Sequence, residues 1–171
     1  MDFATIRRTT IIALFADDEL AGMFTHGKDS CSCRARHALN NQLTDSSQTY
    51  VAHRNQVVIG YYTLVYGNIS LNDCPPSIRE GMPSAFPVPV MVFARWAVDQ
   101  NEQNKGIGRA LLKDAFLQTA AAADIGGLRA ILVDALNGKM VMEYKNLGFI
   151  ECPVGERKLM ISIQDVRASL G

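Results

Sequence analysis

Seven consecutive residues, Gln103-Asn104-Lys105-Gly106-Ile107-Gly108-Arg109, hold the most specific chemistry in this sequence. They stand between a run of strand formers and a run of helix formers, so they open a helix. The first N–H groups of a helix have no partner within it, and the helix dipole draws anions to that end. Glycine at 106 and 108 removes the Cβ atoms that would keep a pyrophosphate away from the backbone. Lys105 and Arg109 flank the helix start, where each cation opposes the dipole by about 0.3–1 kcal/mol unless an anion lies between them. A bound anion is therefore expected; the plainer alternative is a tight turn with exposed basic side chains. Spacing excludes two familiar phosphate loops. No G-x-x-x-x-G-K-[ST] occurs, and a dinucleotide fingerprint would need Gly or Ala where Leu111 stands.

The elements that must position this loop are legible on either side of it. Residues 48–66 are rich in β-branched and aromatic types, with a polar break at 53–56, which predicts an antiparallel hairpin. Residues 72–87 carry Pro75, Pro76, Pro83 and Pro87 and predict a loop leading to a strand over 88–98. After the polar stretch 99–105, helix formers dominate 106–123, and Gly126-Gly127 ends that helix. Residues 128–133 predict a short buried strand, which closes a βαβ unit with a parallel strand pair. A short helix over 139–146, stopped at Gly148-Phe149, and a last strand over 157–163 follow. With a further helix near 35–43 and the N-terminal segment, the expectation is an α+β fold with one central parallel pair.

The chain has 171 residues, a length that predicts one domain, 1–171. Hydrophobic residues at 48% and charged residues at 20% fit a globular core and exclude a disordered chain. The 17 basic and 17 acidic residues cancel, and no basic arm or acidic tail announces a nucleic-acid or membrane partner. Arg7 and Arg8 before the apolar run 9–16 mimic a signal peptide, but Asp17-Asp18-Glu19 follows and no small-residue cleavage site does. The apolar stretch 115–136 contains Gln118, Asp124, Arg129 and Asp134, so it is not a membrane span. A cytoplasmic protein without a membrane partner is expected. Cys31, Cys33, Cys74 and Cys152, with His26, His37 and His53, lack the paired spacing of a zinc site; reduced thiols and no metal are expected.

Four stretches together resemble the successive motifs of GCN5-related N-acetyltransferases (GNAT) over about 48–163. They are Arg95-Trp96-Ala97-Val98-Asp99, the loop Gln103-x-x-Gly106-x-Gly108, Val133-Asp134-Ala135-Leu136-Asn137, and Glu143-Tyr144-Lys145-Asn146-Leu147-Gly148-Phe149. Within that superfamily Ile59-Gly60-Tyr61-Tyr62-Thr63-Leu64 and the strand end at 95–99 look most like acetyltransferase toxins of bacterial toxin–antitoxin operons, which acetylate aminoacyl-tRNA. The resemblance implies a mixed central sheet with flanking helices and a parallel strand pair that splays apart. It implies acetyl-CoA as donor, its pyrophosphate on the N–H groups of Gln103, Asn104, Lys105, Gly106, Ile107, Gly108 and Arg109 and its pantetheine along Trp96, Ala97 and Val98. Asn137 matches a position that contacts the pantetheine, and an N-cap is its equal alternative. Tyr144 matches the family's tyrosine, whose phenol, with an ordinary pKa of about 10, can protonate the departing thiolate.

Other roles stay open at this level. Backbone donors near Ala97 and Val98 can serve the acetyl oxygen. Asp99 and Glu102 read as solvated rather than catalytic, and no base is assigned. Arg95, on the face opposite Trp96, either reaches substrate or pairs with a carboxylate. The implied partners are aminoacyl-tRNA and a small DNA-binding antitoxin, with a homodimer left open. A basic patch of Arg34, Arg36, Arg54, Lys105, Arg109 and Lys145 is the candidate tRNA surface. The competing acceptors are a small-molecule amine and a protein amino group.

Overall fold

The computed structural model describes residues 5–7, 41, 43–54 and 57–171. Its strands are β1 (Thr5–Arg7), β2 (Gln48–Arg54), β3 (Val57–Ile69), β4 (Val88–Val98), β5 (Ala130–Asp134), β6 (Ile150–Glu151) and β7 (Lys158–Ser162). They pair in the order β1-β2-β3-β4-β5-β7-β6. The helices among the described residues are α1 (Pro76–Arg79), α2 (Ile107–Ile125), α3 (Gly138–Asn146) and α4 (Ile163–Leu170). This is the mixed α+β sheet with a parallel pair that the sequence predicts. By contact the chain divides into two compact units, one of Met1–Val65 with Arg95–Asp114 and the other of Tyr66–Ala94 with Ala115–Gly171.

In the first unit β2 and β3 form the expected hairpin, from Gln48↔Leu64 to Arg54↔Val57, with a bulge between Ala52 and His53. Alternation sorts its side chains. Tyr50 and Tyr62 stack at 4.8 Å and 9°, while the hydroxyls of Thr49 and Thr63 meet at 2.9 Å. Tyr62 is fully buried, and its hydroxyl donates to Asp114 on α2. Gly60 lets α2 close onto the sheet, because a Cβ there would lie 2.9 Å from Leu111 Cδ1 and 3.1 Å from the Ala97 carbonyl oxygen. Leu111, the residue that breaks the dinucleotide fingerprint, is itself fully buried core.

In the second unit β4 and β5 run parallel from Val90↔Ala130 to Phe93↔Val133, and β5 continues into antiparallel pairing with β7. Cys74, Ile78, Val88, Val90, Ala130, Cys152 and Met160 form a buried cluster. Burial pushes the Cys152 thiol up to about 11 and raises Cys74 as well, so both are poor nucleophiles.

The structure corrects several boundaries. The proline-rich stretch read as loop contains a 3₁₀ turn at Leu71–Asp73 and α1, because Pro76 takes the first helical position, where a missing N–H is harmless. Ile78 of α1 then fills the core. Strand β3 runs to Ile69, helix α2 to Ile125, and β5 begins at Ala130. Strands β1 and β6 and helix α4 are additional to the elements that the sequence predicts. For α4 a signal existed: Ser162 Oγ accepts from the Asp165 N–H at 3.0 Å while donating to Asp165 Oδ2 at 2.6 Å, a capping arrangement legible as Ser-x-x-Asp. The helix expected over 35–43 lies outside the described residues apart from helical 41 and 43, as do the N-terminal run 8–19, Cys31, Cys33, His26, His37 and the hairpin turn 55–56. Among the described residues no cluster of His, Cys, Asp or Glu could hold a metal, and no helix is long and apolar enough to cross a membrane.

Candidate active site

The loop between β4 and α2 turns through two left-handed residues before the helix opens. Asn104 at φ 61° and Gly106 at φ 83° are left-handed, and Lys105 between them is not, an alternation that turns successive N–H groups toward one side. The first bond into the helix runs from the Ala110 N–H to the Gly106 carbonyl at 3.0 Å. The amides of Ile107, Gly108 and Arg109 precede it and so have no partner four residues back. Gln103 differs from the expectation. Its N–H donates to the Gln100 carbonyl at 3.5 Å, and its Nε2 donates to the Val98 carbonyl at 3.4 Å. Gln103 thus ties the loop to the strand end.

The two glycines turn out to have different reasons. A Cβ on Gly106 would meet nothing within 4 Å among the described residues, and the positive φ itself demands glycine there. A Cβ on Gly108 would lie 2.9 Å from Trp96 Cζ2 and 3.7 Å from Val98 Cγ2. Gly108 is the seat on which the helix packs against Trp96. The same contact gathers Trp96, Val98 and the loop residues in one unit. Strand β4 extends to Val98, five residues past Phe93, the last rung of its parallel ladder with β5.

The charges around the loop are internally balanced to a degree that the sequence did not reveal. Glu102 Oε2 receives Arg54 Nη1 at 2.9 Å and Glu102 Oε1 receives Lys105 Nζ at 3.2 Å. The hydrogen bond from Lys105 first, joined against the opposing desolvation by that from Arg54 and by the charges of both, holds the Glu102 carboxyl below the usual range. Glu102 is therefore not the solvated carboxylate expected but the anchor of a three-residue network, and a weak base. Asp99 caps the turn, its Oδ1 accepting from the Asn101 N–H at 2.9 Å. Of the basic patch, Arg54 and Lys105 are paired to Glu102 and Lys145 to Glu151 at 2.9 Å, while Arg34 and Arg36 lie outside the described residues. Arg109 and Arg95 are exposed and form no ion pair among the described residues.

The second unit carries the other two candidates. Asn137 is extended and caps α3, its Oδ1 accepting from the Met140 N–H at 3.0 Å, which is the capping role of its two readings. Tyr144, two helical turns further on, is 5% exposed and meets Phe149 edge to face at 5.2 Å. Burial first, and Glu143 second, push its phenol up to about 12. The ordinary value assumed from sequence is too low, and the group holds its proton at every physiological pH.

Residues 45–151 match the acetyltransferase (GNAT) domain family. A tRNA-acetylating toxin of Mycobacterium tuberculosis is 38% identical over 157 residues, covering 91% of this chain and 92% of its own. The solved structure of AtaT complexed with acetyl-methionyl-tRNAfMet superposes with a TM-score of 0.84 over 99% of this chain and 100% of that one, a likeness of fold at 24% identity. A tyrosine-to-phenylalanine mutant of the AtaT toxin, bound to acetyl-CoA and to the C-terminus of the antitoxin AtaR, superposes with a TM-score of 0.75 over 98% of each chain at 25% identity. A match spanning well over half of the sequence, on the sheet and loop just described, makes this chain a member of the GNAT acetyltransferase family.

Proposed function

We propose that this protein moves the acetyl group of acetyl-CoA to the amine of an aminoacyl-tRNA, as the toxin of a toxin–antitoxin pair. The single observation that carries the acceptor is the 38% identity, over nine-tenths of both chains, to a tRNA-acetylating toxin. The loop geometry supports the donor: helix-opening amides that precede the first intrahelical bond, after a left-handed turn, suit a pyrophosphate.

In this reading the amides of Ile107, Gly108 and Arg109 hold the pyrophosphate, with Asn104, Lys105, Gly106 and Gln103 shaping the loop. The outer edge of β4 at Trp96, Ala97 and Val98 takes the pantetheine, and its backbone donors face the oxygen that becomes negative. The neutral amine adds to the thioester carbonyl, the C–S bond breaks, and Tyr144 gives its proton to the leaving sulfur. The amine's own proton passes to water, since Glu102 and Asp99 are both engaged. Asn137 holds the start of α3 and touches the pantetheine arm.

The partner we propose is a small DNA-binding antitoxin, and the compartment is the cytoplasm, where charged tRNA is found. The assembly proposed is a homodimer; Leu136, Met142 and Val154 are large apolar side chains left exposed in the second unit. A second reading, transfer to a small-molecule or protein amine, draws support from the zero net charge and from the pairing of Arg54, Lys105 and Lys145 to carboxylates. Expression in a bacterial host separates the two. The toxin reading expects growth arrest that Tyr144→Phe relieves; robust growth with active enzyme present favours the second.

A further inference from the structure

Helix α3 carries Tyr144, and both of its ends are tied to one small hairpin. At the N-terminal end, the Ala135 N–H donates to the Arg157 carbonyl at 2.8 Å, and Arg157 Nη1 donates back to the Leu136 carbonyl at 2.9 Å. The next residue, Asn137, is the N-cap. At the C-terminal end, Lys145 Nζ lies 2.9 Å from Glu151 Oε2, and the Phe149 N–H donates to the Tyr144 carbonyl at 3.0 Å. Arg157 and Glu151 belong to the same turn-back. Glu151 pairs with Leu159 across β6 and β7, the Cys152 N–H donates to the Lys158 carbonyl at 2.9 Å, and Gly155 at φ 92° makes the turn. The hairpin is rooted in the sheet through the five pairs of β7 with β5.

Arg157 is exposed, so its guanidinium fills no core. It also forms no ion pair among the described residues; its recorded bond is to a backbone carbonyl at the corner where β5 becomes α3. A bond at that corner fixes the direction in which α3 leaves the sheet, and two turns later that direction decides where the buried phenol points. Misplacement of a reacting group by about 1 Å lowers rates on the order of 10²-fold.

We infer that the β6–β7 hairpin is a brace that aims Tyr144, with Arg157 as the positioning residue at the N-terminal end of α3 and Glu151 as its counterpart at the C-terminal end. This rests on the reading of Tyr144 as the proton donor.

The test is a double-mutant cycle in the full-length protein, following release of CoA thiol from acetyl-CoA with charged total tRNA as acceptor. Arg157→Ala should lower kcat by about tenfold, less than the full cost of a 1 Å error because the main-chain bond remains. Arg157→Lys, which keeps one donor within reach, should recover part of that loss. In a Tyr144→Phe background Arg157→Ala should change kcat less than about twofold, since the aimed group is gone. A kcat unchanged by Arg157→Ala, or the same tenfold loss in both backgrounds, overturns the brace. If Arg157→Ala does not fold, Arg157→Lys and Arg157→Gln are read in the same cycle by the same criterion. Wild-type turnover by Tyr144→Phe alone overturns the proton-donor reading, and the brace with it.

Discussion

Gly108 lies directly beneath the indole of Trp96: a Cβ at that position would stand 2.9 Å from Cζ2 of the ring. The loop is thereby registered on β4 by a packing contact, in addition to the bond from Gln103 Nε2 to the Val98 carbonyl. Overpacking of this kind typically costs about 1–3 kcal/mol. Gly108→Ala should lower the melting temperature and weaken acetyl-CoA binding together. In a Trp96→Ala background the stability loss should largely vanish, because the obstructing ring is gone. A full additive loss in the double variant would contradict the contact.

Gly106 makes the complementary prediction. No described residue lies within 4 Å of its missing Cβ, and its φ of 83° is the constraint. Gly106→Ala should cost about 1–2 kcal/mol of backbone strain regardless of what stands at 96. Calorimetric titration with acetyl-CoA should show weaker binding, and equal affinity would mean that the left-handed turn is not what arranges the amides.

Glu102 should leave a trace in the pH dependence of stability. Its carboxyl is held below the usual range by Lys105 and Arg54, so its contribution is fully present above the unfolded carboxylate value of about 4.3. The contribution is lost as pH falls through the lower folded value. Thermal melts of wild type and Glu102→Gln should therefore differ at neutral pH and converge below about pH 4. A difference that persists unchanged into acid would show that the network's charge is not its stabilising element.

Tyr144 makes a prediction about turnover. With the phenol pushed up to about 12, the acid form persists throughout the range in which the protein can be assayed. The profile of kcat should carry no descending limb from this residue below about pH 10, and any ascending limb reports loss of a proton from the acceptor amine. Tyr144→Phe should keep acetyl-CoA affinity and lose about 10²- to 10⁴-fold in kcat. A variant within twofold of wild type reduces Tyr144 to its packing against Phe149.

What the sequence disclosed and what it withheld divide along a physical line. Local patterns carried the hairpin, β4, the helix opening at 106–108 and the short helix before Gly148, because periodicity and glycine placement act within a few residues. The Glu102 network joins residues 48 apart and the Arg157 clamp residues 21 apart, and nothing in spacing announces such pairs. Asn137 lay between the two cases: its capping role is local and legible, whereas any contact with a ligand is not. Tyr144 was legible by motif, yet its perturbed phenol depends on burial that only tertiary packing supplies.

The acceptor is the centre of the account, and one measurement addresses it directly. Purified protein is incubated with acetyl-CoA labelled in its acetyl carbon, charged total tRNA, a mixture of free amino acids and a protein extract, and the label is followed by fraction. Label is expected in the tRNA fraction, on the amino group of the esterified amino acid, released by mild alkali as an N-acetylamino acid and absent with Tyr144→Phe. Label confined to free amines or to protein, with tRNA unlabelled, would contradict it.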